Sequence, residues 1–139
     1  MTAKVFVDSN VLIYAHDADA GVRHEKSSAR LTELWASGGG RLSTQVLQEF
    51  YVNVTQKIQT PIPKVAAREL IRTYKSWVHS SITPETILRA SEIGGTWKIS
   101  FWDSLIVASA EQDGAPELLT EDLNHGQVIA GVRVVDPFR

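Results

Sequence analysis

Residues 4–15 read KVFVDSNVLIYA, and this stretch decides the fold prediction. Residues 5–7 form a short apolar run of β-branched and aromatic side chains, which predicts a buried strand. Asp8 stands at the carboxyl end of that strand, and the apolar residues 11–15 indicate the start of a helix. The chain therefore begins with a strand followed by a helix.

The same alternation continues along the rest of the chain. Helices are predicted over residues 29–35, 45–58 and 65–74, and two more open at the N-cap residues Thr83 and Ser100. Further strands are predicted at residues 41–43, 77–78, 117–120 and 132–135. Strands that are separated by helices, and that are apolar throughout, predict a three-layer α/β/α sandwich around a mostly parallel sheet.

Composition narrows the class of protein. The chain has 139 residues, of which 43% are hydrophobic and 22% charged, as in an ordinary globular domain. We expect one domain over residues 1–139, large enough to bury roughly two-thirds of its unfolded surface. The absence of cysteine excludes disulfides, thiolate nucleophiles and cysteine-based zinc sites.

The sequence gives weaker indications of the cellular location and of nucleic-acid binding. The N-terminus lacks the apolar core of a signal peptide, and no apolar run approaches the roughly 18 residues of a membrane span. We therefore expect a cytoplasmic protein that does not enter membranes. The net charge of −2 is low for a nucleic-acid-binding protein, because a strong basic excess is the usual signature of that class.

Four carboxylates are the candidate site residues. Asp8 and Asp122 follow predicted strands, and Asp103 lies in the first turn of the helix that Ser100 opens. In an open parallel sheet, ligands bind beyond the carboxyl ends of the strands. Glu49 lies at the edge of the apolar stripe of its helix, where a carboxylate is costly unless it is paired, protonated or bound to metal.

Convergence of these acids would need a counter-charge. Crowded carboxylates repel one another, and a divalent cation removes that repulsion. Oxygen ligands without cysteine or a histidine pair favour Mg²⁺ or Mn²⁺ over Zn²⁺. Such an ion suits phosphodiester hydrolysis, because it activates water and neutralises phosphate. The residues therefore favour a metal-dependent nuclease.

Four sequence blocks together resemble one known family. These are VFVDSN (5–10), STQVLQEF (43–50), SFWDSLIVA (100–108) and LLTEDLNHG (118–126). In order and spacing they are similar to the PIN domain, and above all to the VapC-type ribonuclease toxins of bacterial toxin–antitoxin pairs. The resemblance spans nearly the whole chain.

That resemblance implies the PIN α/β/α fold and a Mg²⁺- or Mn²⁺-dependent endoribonuclease. Asp8, Asp103 and Asp122 would be the metal ligands, and Glu49 would hold or orient a water. Two further residues would support the acids by hydrogen bonds: Asn10 and Thr120. The implied partners are an RNA substrate, a small antitoxin protein and a second copy of the chain in a homodimer.

Several alternatives remain open from the sequence. Asp8 could simply cap a helix, Asp122 could belong to a turn, and the protein could be a PIN-like module that binds RNA or a partner without cutting. Aspartyl-phosphate chemistry at Asp8 is disfavoured, because Asn10 stands where such enzymes have a second aspartate. His125 fits a turn residue better than an RNA contact.

Aromatic, basic and apolar surface candidates are also ambiguous. Two or more of Trp97, Phe101 and Trp102 are expected to pack in the core, although an exposed one could stack a base. Arg23, Lys26 and Arg30 share a helix face that is either solvated or in contact with phosphate. An antitoxin could dock on the apolar residues Leu47, Tyr51 and Val54 or on those of the helix over residues 63–74, although burial in the core is the simpler account of them.

Overall fold

Five strands and six α-helices make up the part of the chain that the computed structural model describes, residues 2–139. The strands there are Val5–Val7 (β1), Gly40–Arg41 (β2), Glu117–Leu119 (β3), Val128–Ile129 (β4) and Val132–Val135 (β5). The helices are Ser9–Ala15 (α1), Val22–Ser37 (α2), Thr44–Val52 (α3), Lys64–Tyr74 (α4), Pro84–Trp97 (α5) and Phe101–Gln112 (α6). Short 3₁₀ turns lie at Ala18–Ala20 and Lys75–Trp77, and a π-helical turn at Asn53–Lys57.

The sheet has the strand order β2-β1-β3-β5-β4, and every neighbouring pair is parallel except β4 with β5. Successive side chains of a strand point to opposite faces of the sheet. Val5, Phe6 and Val7 are all buried, so helices must cover both faces. The predicted α/β/α sandwich around a mostly parallel sheet is confirmed.

Helix starts follow the predicted capping residues. The side chains of Thr83 and Ser100 accept hydrogen bonds from backbone N–H groups in the first turns of α5 and α6, and Pro84 is the first residue of α5. Helix α6 crosses the core, because every residue from 104 to 110 is buried. Its position therefore depends on packing along most of its length.

The structure corrects several predicted boundaries. The helix expected over residues 45–58 ends as an α-helix at Val52 and continues as the π-helical turn. Residues 77–78 form no strand: Trp77 ends a 3₁₀ turn, and Val78 makes only an isolated bridge to Leu42. Strand β4 was not predicted. It pairs with β5 across Ala130 and Gly131, which both have positive φ.

The amino end of the sheet is closed by aromatic packing. Gly40 opens β2 directly beneath the Trp77 ring, and a Cβ there would lie only 2.6 Å from Trp77 Cε2. Trp77 packs in turn on Trp35, with ring centroids 4.4 Å apart, and on Tyr74 at 5.3 Å. Glycine is therefore required at position 40 by close approach.

The carboxyl end of the sheet gathers the candidate site. Asp8 directly follows β1 and Thr120 directly follows the adjacent β3, so residues that follow these strands meet at one edge. The N-terminus of helix α2 also reaches this edge. Its C-terminus lies beside the start of β1, where Val5 N–H bonds Gly39 O. From there its 16 residues extend about 24 Å back along the sheet. Among residues 2–139, no helix has the length and apolar character needed to cross a membrane.

Candidate active site

Asp8 is the most buried acid of the candidate site, with only 5% of its surface exposed. It caps α1, because its Oδ1 accepts a hydrogen bond from Ser9 N–H at 2.7 Å. Burial is the main cause that raises the pKa of this carboxyl from 3.8 to about 7. The charges of Asp122 and Glu49 act in the same direction, while the hydrogen bonds from Thr120 and Ser9 oppose it. Ionised Asp8 is therefore costly in the protein alone.

Thr120 connects three groups of the site through one hydroxyl. Its Oγ1 donates to Asp8 Oδ2 at 2.8 Å, and it accepts from Asn10 Nδ2 and from Asp122 N–H, both at 3.1 Å. Asn10 Nδ2 also donates to Asp122 Oδ2 at 2.9 Å. The structure thus brings Asn10 and Thr120 into direct contact with two of the four acids. Asn10 donates both of its hydrogen bonds, which the carboxylate of a second catalytic aspartate could not do.

Asp103 enters from the start of α6. Its backbone N–H donates to Ser100 Oγ at 3.1 Å, which fixes the first turn of the helix. The carboxyl is half-buried, and burial raises its pKa, with a smaller increase from the charge of Asp122. Its helical position also favours an anion, since the N-terminus of a helix carries partial positive charge.

Glu49 approaches from the second turn of α3 and is half-buried. Burial raises its pKa, the charges of Asp103 and Asp122 add to that increase, and the Ser9 side chain partly offsets it. Glu49 is therefore near enough to two other acids to experience their charge. The four predicted site residues come from four separate segments of the chain and act electrostatically on one another.

The chemistry of this group fits a hard divalent cation. As the side chains stand, no three His, Asp or Glu residues within positions 2–139 form a complete metal site. Mg²⁺, however, typically takes only one or two carboxylates and completes its shell with water. One further donor is available, because the buried Asn10 Oδ1 has no hydrogen-bond partner. The donor set, all oxygen and mostly anionic, suits Mg²⁺ or Mn²⁺.

Two polar residues near the site, Tyr14 and Glu121, were not anticipated from the sequence, and both contact or support Arg23, which was considered as a phosphate contact. Tyr14 donates through its hydroxyl to Glu121 Oε1, and Arg23 Nε donates to Glu121 Oε2 at 2.9 Å. Tyr14 lies four residues after Asn10 on α1, so both point to the same side of the helix. That spacing, together with the position of Glu121 next to Asp122, is the signal that could have revealed them.

Other candidates lie where simpler roles explain them. His125 Nδ1 accepts a hydrogen bond from Asp136 N–H at 3.0 Å, as expected of a turn residue.

The prediction that at least two of Trp97, Phe101 and Trp102 pack in the core is wrong. Trp97 is half-buried against the core, but Phe101 and Trp102 are exposed, Trp102 by 64%.

Comparison with known proteins places the chain in a family. The family model of the PIN domain matches residues 5–129, and the chain therefore belongs to the PIN domain family. No curated protein matches it in sequence.

Solved structures share its fold. A DNA-bound VapBC from Salmonella typhimurium aligns with a TM-score of 0.68 at 14% identity, covering 97% of this chain and 98% of that one. A toxin–antitoxin complex from Klebsiella pneumoniae aligns with a TM-score of 0.65 at 21% identity, covering 96% and 98%. VapC20 of Mycobacterium tuberculosis, described as a sarcin–ricin loop cleaving toxin, aligns at 0.56 and 20%, covering 83% and 87%. These likenesses establish the fold.

Proposed function

We propose that this protein is a metal-dependent endoribonuclease, formed by one PIN-like domain over residues 1–139, that acts as the toxin of a toxin–antitoxin pair in the cytoplasm. One observation carries the proposal: four acids from separate segments act on one another electrostatically near the carboxyl edge of the sheet, and burial and mutual repulsion raise the pKa of three of them. PIN-family membership and the VapC-like fold support the same conclusion.

Three acids would hold the Mg²⁺ or Mn²⁺ ion: Asp8, Asp103 and Asp122. When bound, the ion would neutralise phosphate charge and lower the pKa of water, as in other metal-dependent hydrolases. Asn10 and Thr120 would keep the carboxylates of Asp8 and Asp122 oriented through the hydrogen bonds described above. Orientation of this kind is the usual role of groups that surround a metal site.

Glu49 would accept a proton from the attacking water or orient that water. A carboxylate whose pKa is raised accepts a proton more readily at neutral pH than an ordinary glutamate does. Its half-buried position leaves one side open to solvent and substrate. Glu49 would therefore act as a general base.

The test is RNA cleavage with purified protein in Mg²⁺ or Mn²⁺ and in EDTA. We expect cleavage only with metal, and a loss of at least about a hundredfold in the Asp8→Asn variant, the scale on which a single electrostatic stabiliser acts. Glu33→Gln is the matched control, because it also removes one negative charge, at an exposed residue of α2 that pairs with Arg30. Equal cleavage by wild-type protein and the Asp8→Asn variant would exclude the mechanism.

A second candidate is a PIN-like module that binds RNA or a partner without cutting. It is favoured by the lack of three acids already arranged around one point in residues 2–139 and by the net charge of −2. Binding of Mn²⁺ without any RNA cleavage, measured by calorimetry and gel electrophoresis, would support this candidate over the nuclease.

The proposed partners are a small antitoxin and a second copy of the chain. An open apolar groove of about 420 Å³ lies between α3 and α4 and includes Leu47, Tyr51 and Ile71. Val54, grouped with them from the sequence, is fully buried in the core and can contact no partner. Copurification with the protein encoded beside this gene tests the antitoxin, and light scattering tests the dimer.

A further inference from the structure

Arg23 lies at the same edge of the sheet as the acidic site. It is the second residue of α2, whose C-terminus lies at the amino edge and whose length carries its N-terminus to the carboxyl edge. Its partner, Glu121, is the residue immediately before Asp122. The cation is therefore fixed beside the site through the segment that also carries one of the acids.

Two aromatic rings and one carboxylate hold the guanidinium in place. Arg23 Nε donates to Glu121 Oε2 at 2.9 Å, and Cζ lies 5.4 Å from the centre of the Phe138 ring and 5.9 Å from that of Tyr14. The two rings pack edge to face at 5.4 Å. Such contacts orient an arginine with little loss of its charge.

A second arginine shows what a closed ion pair looks like in this protein. Arg89 uses both Nε and Nη2 to bind the two oxygens of Glu111, at 2.8 and 2.9 Å. Arg23 uses only Nε, which bonds one oxygen of Glu121, while the Tyr14 hydroxyl donates to the other oxygen. Within residues 2–139, nothing accepts a hydrogen bond from Arg23 Nη1 or Nη2, and the side chain is 53% exposed.

A held arginine with its outer N–H groups free is suited to an anion with two adjacent oxygens. Arginine donates in a planar fork that matches the oxygens of phosphate. With a net charge of −2, the chain has no general attraction for RNA, so individual placed cations must supply it. Lys26, one turn later on α2, adds a second cation at this edge, with Nζ 3.5 Å from Phe138 O.

We propose that Arg23 is a substrate-positioning residue that binds a backbone phosphate of the RNA strand next to the bond that is cut. The assignment rests on the proposed ribonuclease function and adds to it the path of the strand, from the acidic site along the start of α2. Tyr14 and Glu121 have the supporting role of holding the guanidinium open toward solvent.

Binding and cleavage together test the assignment. Binding of a short fluorescein-labelled single-stranded RNA is measured in the Asp8→Asn background, over a series of KCl concentrations, with and without Arg23→Gln. We expect the dissociation constant to rise about fivefold and the slope of log affinity against log salt to fall by about 0.7, the value for one phosphate contact on a single strand. Arg23→Lys should keep most of the salt slope, since it keeps the charge.

The control is Arg30→Gln, which removes a cation two turns further along the same helix, where Arg30 pairs with Glu33. It should leave both affinity and salt slope unchanged. In otherwise wild-type protein, Arg23→Gln should raise KM more than it lowers kcat. Thermal unfolding of each variant shows whether loss of the Glu121 pair has unfolded this edge.

The outcomes separate the two proposals. If the protein cleaves RNA and Arg23→Gln binds with wild-type affinity and salt slope, the assignment of Arg23 is overturned and the ribonuclease stands. If Arg23→Gln weakens RNA binding as expected but wild-type protein never cleaves, the ribonuclease fails and the phosphate contact stands. A lower Tm and kcat with an unchanged salt slope would show a purely structural role, and absence of any RNA binding would overturn both.

Discussion

The two ends of the sheet are built on opposite principles. At the amino end, Gly40 and Trp77 are in direct contact and the neighbouring rings fill the space, so the free energy there comes from apolar packing. At the carboxyl end, buried Asp8 is surrounded by like charges, and hydrogen bonds only partly offset the cost. The comparison indicates that one end stabilises the fold, while the other carries buried charge at a cost to stability.

The largest expected effect comes from a substitution in the packed amino end of the sheet. Trp77→Ala should lower the free energy of unfolding by about 3–5 kcal/mol, because it removes a buried indole and leaves a cavity over Gly40. Urea denaturation followed by circular dichroism measures it. Trp77→Phe, which keeps part of the ring contact, should lose less; equal losses in the two variants would contradict a packing origin.

The next effect concerns pH at the acidic end. Because the pKa of Asp8 is about 7 in the folded protein and near 3.8 when unfolded, the folded state keeps a proton that the unfolded state releases between these values. Metal-free protein should therefore lose stability as pH rises from about 4 to about 7, by on the order of 2–4 kcal/mol from this residue. Asp8→Asn should remove that slope.

The measurement is the difference in unfolding free energy between wild-type protein and the Asp8→Asn variant across this pH range. The difference cancels the other titrating groups, most of which are unchanged by the substitution. Added Mg²⁺ should restore wild-type stability near neutral pH and leave the variant unaffected. A difference that does not vary with pH would contradict the assigned cost of burying this carboxylate.

The smallest expected effect comes from a substitution at the rim of the acidic end, where stability and RNA binding should respond differently. Trp102 is exposed and directly precedes Asp103, so removal of its ring should leave stability within about 0.5 kcal/mol of wild type. If it stacks an unpaired base, Trp102→Ala should weaken single-strand RNA binding by about 1–3 kcal/mol. Fluorescence anisotropy measures this, and Trp102→Phe should recover part of the loss. Unchanged affinity would remove the stacking role.

The sequence was informative where local chemistry determines structure. The apolar run of β1 and the caps Thr83 and Ser100 were readable, because each depends on neighbouring residues. Placing Asp8 and Asp122 near each other needed one more step, the rule that parallel strands end at a common edge.

Other features depend on contacts that a linear pattern does not contain. The two-residue strand β4 exists through its pairing with β5, and the turn between them places Ala130 at φ +50°, where asparagine or glycine is the usual signal. At least two of Trp97, Phe101 and Trp102 were expected in the core, but α6 is apolar nearly throughout, and periodicity does not distinguish the exposed end of such a helix. The environment of Arg23 includes Tyr14, a residue of another helix.

The single hydroxyl of Thr120 has a consequence for how this site can vary. It has one proton to give and two lone pairs to share, and Asp8, Asn10 and Asp122 use all of them. Valine, although nearly identical in shape, would deprive all three neighbours of their partner at once. Serine, which keeps the hydroxyl, is the replacement that could preserve all three hydrogen bonds.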